Sequence, residues 1–124
     1  MPQKKTNKKS NIASKLSRFT EQEVQKLFKK AKRVLRQPGL HVLCHPSELE
    51  YGRILVITPK KVGSAPKRNA IRRRLKSIFY EENLYKDRLD FVIIIKKEGI
   101  NLNFKQLKEI LMGLTHKIGE TCTK

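Results

Sequence analysis

The segment Asp90-Phe91-Val92-Ile93-Ile94-Ile95-Lys96 carries the strongest strand signal in this 124-residue chain. Its interior is apolar throughout and consists mainly of β-branched residues, which favour strands. The run is continuous rather than alternating, so we predict a strand buried on both faces at the centre of a sheet. At five apolar residues it is far shorter than the roughly 20 that a membrane-spanning helix needs, which argues against a membrane protein.

Helical and strand patterns surround this segment. Thr20 and Glu23 have the spacing of a capping box, and an apolar stripe at helical spacing follows until Pro38-Gly39. The predicted elements are, in chain order, a helix over 21–36, strands over 40–44 and 53–58, a helix capped by Ser64 that ends near 82, the strand over 90–96, and a helix capped by Asn103 that reaches 118. This order predicts an α+β fold, a single-domain α-β sandwich in which three helices pack on one small mixed sheet.

Composition sets the boundaries of the domain. Residues 1–19 are basic and poor in apolar side chains, which predicts a disordered arm before a domain over 20–118 and a frayed tail over 119–124. Cys44 and Cys122 lie far apart and suggest reduced thiols. No apolar signal-peptide segment follows the N-terminus, so we expect a cytoplasmic protein.

The charge of the chain is strongly one-sided. The formal net charge is +18, and between Gly52 and Tyr80 there are nine Lys or Arg residues and no Asp or Glu. A solvated helix face usually interleaves acids with bases, and this one does not. The pattern therefore predicts a polyanionic partner, for which nucleic acid is the first candidate.

The second predicted helix separates its polar and apolar residues on a helical wheel. Ile71, Leu75, Ile78 and Phe79 form the packing face, and the opposite face is cationic. The residues that we expect to bind nucleic acid, on this face, beside it or in the loop before it, are Lys60, Lys61, Lys67, Arg68, Asn69, Arg72, Arg73 and Lys76. Arginine suits this role because its planar fork can bind two phosphate oxygens at once.

Nothing in the sequence indicates an active site within the protein. The acidic residues are scattered, and no Ser-His-Asp arrangement suggests itself. His41, Cys44 and His45 lack the partners and the spacing of a zinc site. We therefore predict no catalytic residue and no metal ligand in this chain.

The segment K-K-V-G-S-A-P-K-R-N-A-I-R-R-R-L-K, from residue 60 to 76, resembles the signature of the bacterial ribonuclease P protein subunit. That family has a K-K-x-G loop followed by an R-N-R motif that continues as x-K-R-x-x-R. This chain departs from the pattern at Ala70, where the family has Arg, and has Arg72 and Lys76 where Lys and Arg are usual. The resemblance extends over roughly residues 15–118.

The resemblance implies a fold and a function. It implies a left-handed βαβ crossover and a motif helix held against a catalytic RNA, which performs Mg²⁺-dependent removal of the 5′ leader of precursor tRNA. Mg²⁺ would be held mainly by the RNA subunit, and no protein partner would be required. The leader would lie in a cleft that maps onto Val24, Phe28 and Arg53. The family tends to have two aromatic residues in this cleft, so Val24 removes one stacking surface.

Two other functions fit a basic helix. One is a non-enzymatic ribosomal or RNA-chaperone protein that binds structured RNA. The other is a helix-turn-helix DNA-binding protein, although here a strand and a Gly-Ser loop precede the basic helix instead of a partner helix.

Overall fold

The computed structural model describes residues 15–121, with the backbone alone for residues 115–121. From Glu21 onward the described chain forms three α-helices, four strands and three short 3₁₀ turns. The elements are α1 Glu21–Lys30, β1 Lys32–Gln37, β2 Leu40–Pro46, β3 Ile54–Ile57, α2 Ala65–Glu81, β4 Leu89–Ile95 and α3 Phe104–Thr121. The 3₁₀ turns are Lys60–Val62, Leu84–Asp87 and Lys97–Gly99.

The sheet has the order β1-β2-β4-β3, so the apolar segment of β4 lies inside it as predicted. β4 pairs antiparallel with β2 and parallel with β3, and Phe91 lies opposite both Cys44 and Ile54. Every residue of β4 except Ile94 is buried. The mixed sheet and three helices confirm the α+β fold. α2 is the crossover between the parallel strands β3 and β4, and its left-handedness remains a prediction of the resemblance.

The first predicted helix is too long. α1 ends at Lys30, and residues 32–36, which we assigned to the same helix, belong to the edge strand β1. Pro38 and Gly39, interpreted above as a helix stop, are instead the two-residue turn between β1 and β2. The helical spacing of Val34 and Leu35 was misleading because both side chains pack on the core from a strand.

The predicted ends of the domain also need correction. Leu16 is 3% exposed and belongs to the core, and its carbonyl accepts the Ile54 N–H at 2.7 Å. Residues 15–19 therefore belong to the folded domain and not to a disordered arm. α3 extends to Thr121, beyond the predicted end at 118. Residues 1–14 and the predicted tail from Cys122 lie outside the described residues.

The two faces of the sheet differ in how far other elements bury them. On the inner face, alternate residues of the strands pack against α2 and α3, and the ring of Phe79 meets that of Phe91 edge-on at 5.7 Å. The side chains opposite to these, among them Leu43, Leu55, Ile57 and Ile94, form the outer face and are only half-buried. The outer face is therefore the more open side of the sheet.

The helix caps follow from the sequence with one exception. Thr20 and Glu23 form the predicted capping box, in which each side chain accepts the other residue's backbone N–H. Asn103 caps α3 in the same reciprocal way with Gln106. Ser64 occupies the N-cap position of α2, but its side chain makes no capping hydrogen bond. Over residues 15–121, none of the helices is long and apolar enough to cross a membrane.

Candidate nucleic-acid interface

The predicted cationic face of α2 exists and points away from the core. Ile71, Leu75, Ile78 and Phe79 are fully buried, as the helical wheel predicts. The exposed members of the predicted binding set are Lys60, Lys61, Lys67, Asn69, Arg73 and Lys76, while Arg68 and Arg72 are half-buried. The buried Val62 side chain anchors the 3₁₀ turn that carries both Lys60 and Lys61, which places the two ammonium groups at the N-terminal end of α2. Most of the predicted set therefore shares one surface.

The side chain of Arg72 is held by contacts at the edge of the sheet. One guanidinium nitrogen donates to the Thr58 hydroxyl just after β3, and another lies 3.5 Å from Asn69 Oδ1. Although Lys76 is exposed as a residue, loss of hydration around its ammonium lowers its pKa, and the positive charge of Arg72 lowers it further. Arg72 and Lys76 therefore repel each other, and a bound anion would reduce this repulsion.

Two arginines beside this face have structural contacts. The Nε of Arg68 donates to the Gly63 carbonyl at 3.2 Å, and Arg74 donates to the Leu102 carbonyl at 3.1 Å. Arg68 thus ties α2 to the loop before it, and Arg74 ties it to the segment before α3. Both acceptors are carbonyls in loops, which no helical or strand periodicity predicts. The sequence therefore could not distinguish these two structural arginines from the exposed Arg73.

α1 lies across one end of the outer face. Leu27 is its buried residue, and Glu23 and Lys30 on one side of Leu27 line a pocket of about 40 Å³ together with His45 and Arg53. On the helical wheel, Val24 and Phe28 lie on the other side of Leu27, so they face the open part of the sheet. We call this region, walled by α1 and floored by the half-buried outer face, the cleft.

The aromatic side chain predicted for the cleft is available there. Phe28 is 43% exposed, the largest value among the exposed large apolar side chains of the described residues, and Val24 is half-buried. An exposed Phe beside an apolar floor offers a surface on which a base can stack. Phe28 is therefore accessible and Val24 half-accessible, and their binding of a leader stays a prediction.

Arg53, the third predicted cleft residue, is buried. Its side chain is 8% exposed, and its guanidinium lies 3.0 Å from Glu23 and 3.7 Å from Asp90. It also donates to the Arg18 carbonyl at 3.0 Å and lies 4.2 Å from the centroid of the Phe19 ring. The guanidinium of Arg53 is therefore paired within the protein, and these contacts connect α1 and the segment before it to the sheet.

A second group of cations was missed from the sequence. Arg33 and Arg36, which fall within the helix predicted over 21–36, lie instead on β1 at the edge of the outer face. The Pro-Gly pair between two β-compatible segments was the signal that could have revealed this hairpin.

The described residues offer no site for a metal ion. Within residues 15–114, whose side chains the structure describes, no three His, Cys, Asp or Glu side chains come together in a way that could hold one. The buried carboxylate of Asp90 is engaged by Arg53, whose backbone N–H donates to its Oδ1 at 2.9 Å.

Basic residues clustered on one face of a helix are typical of a nucleic-acid-binding domain. The profile of the Ribonuclease P family matches residues 14–119. A ribonuclease P protein component from Borrelia duttonii is 34% identical over 106 residues, which cover 84% of this chain and 87% of that protein. One from Bacillus pumilus is 34% identical over 98 residues, covering 77% and 82%.

A solved structure shares the fold. The RNase P protein of Staphylococcus aureus superposes with a TM-score of 0.71 at 19% identity, covering 86% of this chain and 97% of that chain. The chain belongs to the ribonuclease P protein family, whose members are protein components of a tRNA-processing ribonuclease and associate with the ribonuclease P RNA. This membership favours ribonuclease P function over the alternative of a ribosomal or RNA-chaperone protein.

Proposed function

We propose that this chain holds the catalytic RNA of ribonuclease P with the cationic face of α2 and the 5′ leader of precursor tRNA in the cleft. The observation that carries the proposal is the separation of the two surfaces. α2 packs on the inner face of the sheet and presents its cations outward, whereas α1 and Phe28 lie on the outer face. One domain can therefore contact two RNA segments at the same time.

The cationic face acts by neutralising phosphate charge. Arg72 is close enough to Lys76 for the two positive charges to repel each other, and an RNA backbone laid along this face would replace that repulsion with charge-assisted hydrogen bonds. RNA strands brought together at a compact site repel one another as well, so cations from the protein favour the folded RNA.

The catalytic centre of this proposal lies in the RNA. Mg²⁺ would be held mainly by RNA phosphates, and the chain would supply positioning and charge. Phe28 would add stacking to a leader base, a contact worth about 1–3 kcal/mol. Mature tRNA lacks the leader and would gain nothing from the cleft, which favours precursor over product.

The test is cleavage of 5′-labelled precursor tRNA at low Mg²⁺ and moderate salt. The RNA subunit is assayed alone, with this protein, with Arg72→Ala/Arg73→Ala, and with the charge-matched control Lys86→Ala/Lys105→Ala. We expect the wild type and the control to restore accurate 5′ cleavage and the arginine variant to do so poorly. No gain from the wild type, where the RNA alone is nearly inactive, would overturn the proposal.

A further inference from the structure

The edge strand β1 contains a β-bulge that determines where its arginines point. Arg33 pairs with Leu43, Leu35 with Val42 and Arg36 with His41, so Val34 is an extra residue on this strand. Val34 and Leu35 both pack against the core. In a regular strand, residues three apart point to opposite faces. Because of the bulge, Arg33 and Arg36 instead both lie beside outer-face residues of β2.

Arg33, Arg36 and a third cation, Lys96, all lie near His41. His41 lies between Arg36 on β1 and Ile94 on β4, and Lys96 follows the end of β4. Burial lowers the pKa of the His41 imidazole, and the positive charges of Lys96, Arg33 and Arg36 lower it further, which places all three cations within electrostatic reach of one ring. Among residues 15–114, no acidic side chain forms an ion pair with any of the three.

The outer face connects this cation group to the cleft. Only five positions separate Phe28 from Arg33, and β1 follows α1 after a single residue. His45 lies at the α1 end of β2 and His41 near its start, which corresponds to about 13 Å along the strand. Half-buried Leu43 and Ile94 lie on this path and provide an apolar floor. A single strand leaving Phe28 along the face would thus meet apolar side chains below it and cations at its edge.

We propose that Arg33, Arg36 and Lys96 form a phosphate-binding site for the leader strand beyond the cleft. The proposal rests on the proposed function, because it assigns the site to the same leader that Phe28 would stack. The leader is favoured over the catalytic RNA as occupant because the floor is continuous with the cleft, whereas α2 lies on the opposite face of the sheet. The contacts would be with backbone phosphates and so would not depend on leader sequence.

The experiment measures the Kd of the holoenzyme for precursor tRNA carrying leaders of increasing length and for mature tRNA. The variants are Arg33→Gln/Arg36→Gln, Lys96→Gln, Phe28→Ala, and the control Lys86→Gln/Lys105→Gln, which removes two exposed positive charges that lie outside the strands of the sheet. Thermal unfolding of each variant checks that it is folded.

For Arg33→Gln/Arg36→Gln we expect binding of long-leader precursor to weaken by about tenfold, with little change for mature tRNA or for leaders too short to pass Phe28. The dependence of log K on log salt should flatten by ~1.4, since each phosphate contact to a single strand contributes about 0.7. Lys96→Gln should show the same length dependence with about half the change in slope.

The outcomes separate this inference from the proposed function. If Phe28→Ala weakens only precursor binding while the arginine variant leaves every Kd unchanged, the phosphate site is wrong and leader binding in the cleft stands. An equal loss for precursor and mature tRNA in the arginine variant would also overturn the site, since it indicates contact with another RNA segment. If Phe28→Ala itself has no leader-specific effect, the leader part of the proposed function fails.

Discussion

Arg53 contacts Asp90 through both its backbone and its side chain. Its N–H donates to Asp90 Oδ1 at 2.9 Å, and its guanidinium lies 3.7 Å from Oδ2. Burial raises the pKa of the Asp90 carboxyl, although the Arg53 N–H and guanidinium act to lower it. The pair lies at the junction of β3, β4 and α1, because the same guanidinium also reaches Glu23.

We predict that Asp90→Ala lowers the free energy of unfolding by about 1–3 kcal/mol, because it leaves the buried Arg53 N–H without its acceptor while Glu23 still pairs with the guanidinium. Asp90→Asn should cost clearly less, since an amide oxygen can still accept the Arg53 N–H. Urea denaturation measures both. The control is Asp87→Ala at an exposed position, which should change stability by no more than about 0.5 kcal/mol. Equal losses for Asp90→Ala and Asp90→Asn would show that the hydrogen bond contributes little.

The cleft offers a gain-of-function prediction. Val24 faces the cleft next to Phe28, and Val24→Phe would provide a second stacking surface. We expect it to tighten precursor binding by an amount within the roughly 1–3 kcal/mol of one base–aromatic contact, and Phe28→Ala to weaken it by a similar amount. Both changes should leave the Kd for mature tRNA nearly unaltered. Titration of labelled precursor and mature tRNA against the holoenzyme measures the difference. An equal change for both RNAs would contradict leader binding in the cleft.

The environment of His41 gives a pH prediction. Its folded-state pKa lies below the ordinary histidine value of 6.5. The unfolded chain therefore takes up this proton first, and the contribution of His41 makes the fold less stable as the pH falls through the window below 6.5. NMR titration of the imidazole should show the pKa rising in Arg33→Gln/Arg36→Gln, because two of the three nearby positive charges are gone, and remaining unchanged in Lys86→Gln/Lys105→Gln. An unchanged pKa in the arginine variant would mean that Arg33 and Arg36 do not lie beside His41.

Replacing Gly99 and Gly113 by Ala should change the stability of the protein in opposite directions. A Cβ on Gly99 would lie 1.9 Å from the Gly39 carbonyl oxygen, whereas one on Gly113 in α3 meets nothing within 4 Å. We expect Gly99→Ala to destabilise the protein, since the turn before β2 and the turn after β4 must separate. Gly113→Ala should stabilise it by up to about 1 kcal/mol, the difference in helix propensity. Thermal unfolding of both variants is the measurement, and a neutral Gly99→Ala would show that the two turns are free to separate.

The sequence predicted the elements whose signals are local. The β-branched run of β4, the capping box at Thr20, the cap at Asn103 and the apolar face of α2 all depend on residues within a few positions of one another, and the structure confirms each. The cationic face of α2 followed directly from that apolar face. The placement of Phe28 on the cleft side of α1 rested on the resemblance rather than on spacing.

The sequence could not predict what depends on distant partners. Residues 32–37 fit a helix as well as a strand, and only pairing with β2 decides between them. Leu16 lies in a polar segment, and its burial depends on β3. Arg53 was predicted to face the leader, yet its charge is taken up by Asp90, thirty-seven positions later, and by Glu23. In each case a tertiary contact overrides the local preference.

The bulge in β1 also determines where this protein tolerates a change in length. Deleting Val34 would leave Arg33, Leu35 and Arg36 opposite the same three residues of β2, in regular alternation, with both arginines still facing outward. Deleting Leu35 would place Val34 over the core in the same way. An insertion or deletion between Arg36 and Pro38 would instead shift the hairpin register and turn a guanidinium toward the core, where an unpaired charge is strongly destabilising. Natural insertions and deletions in this strand should therefore concentrate at positions 34 and 35.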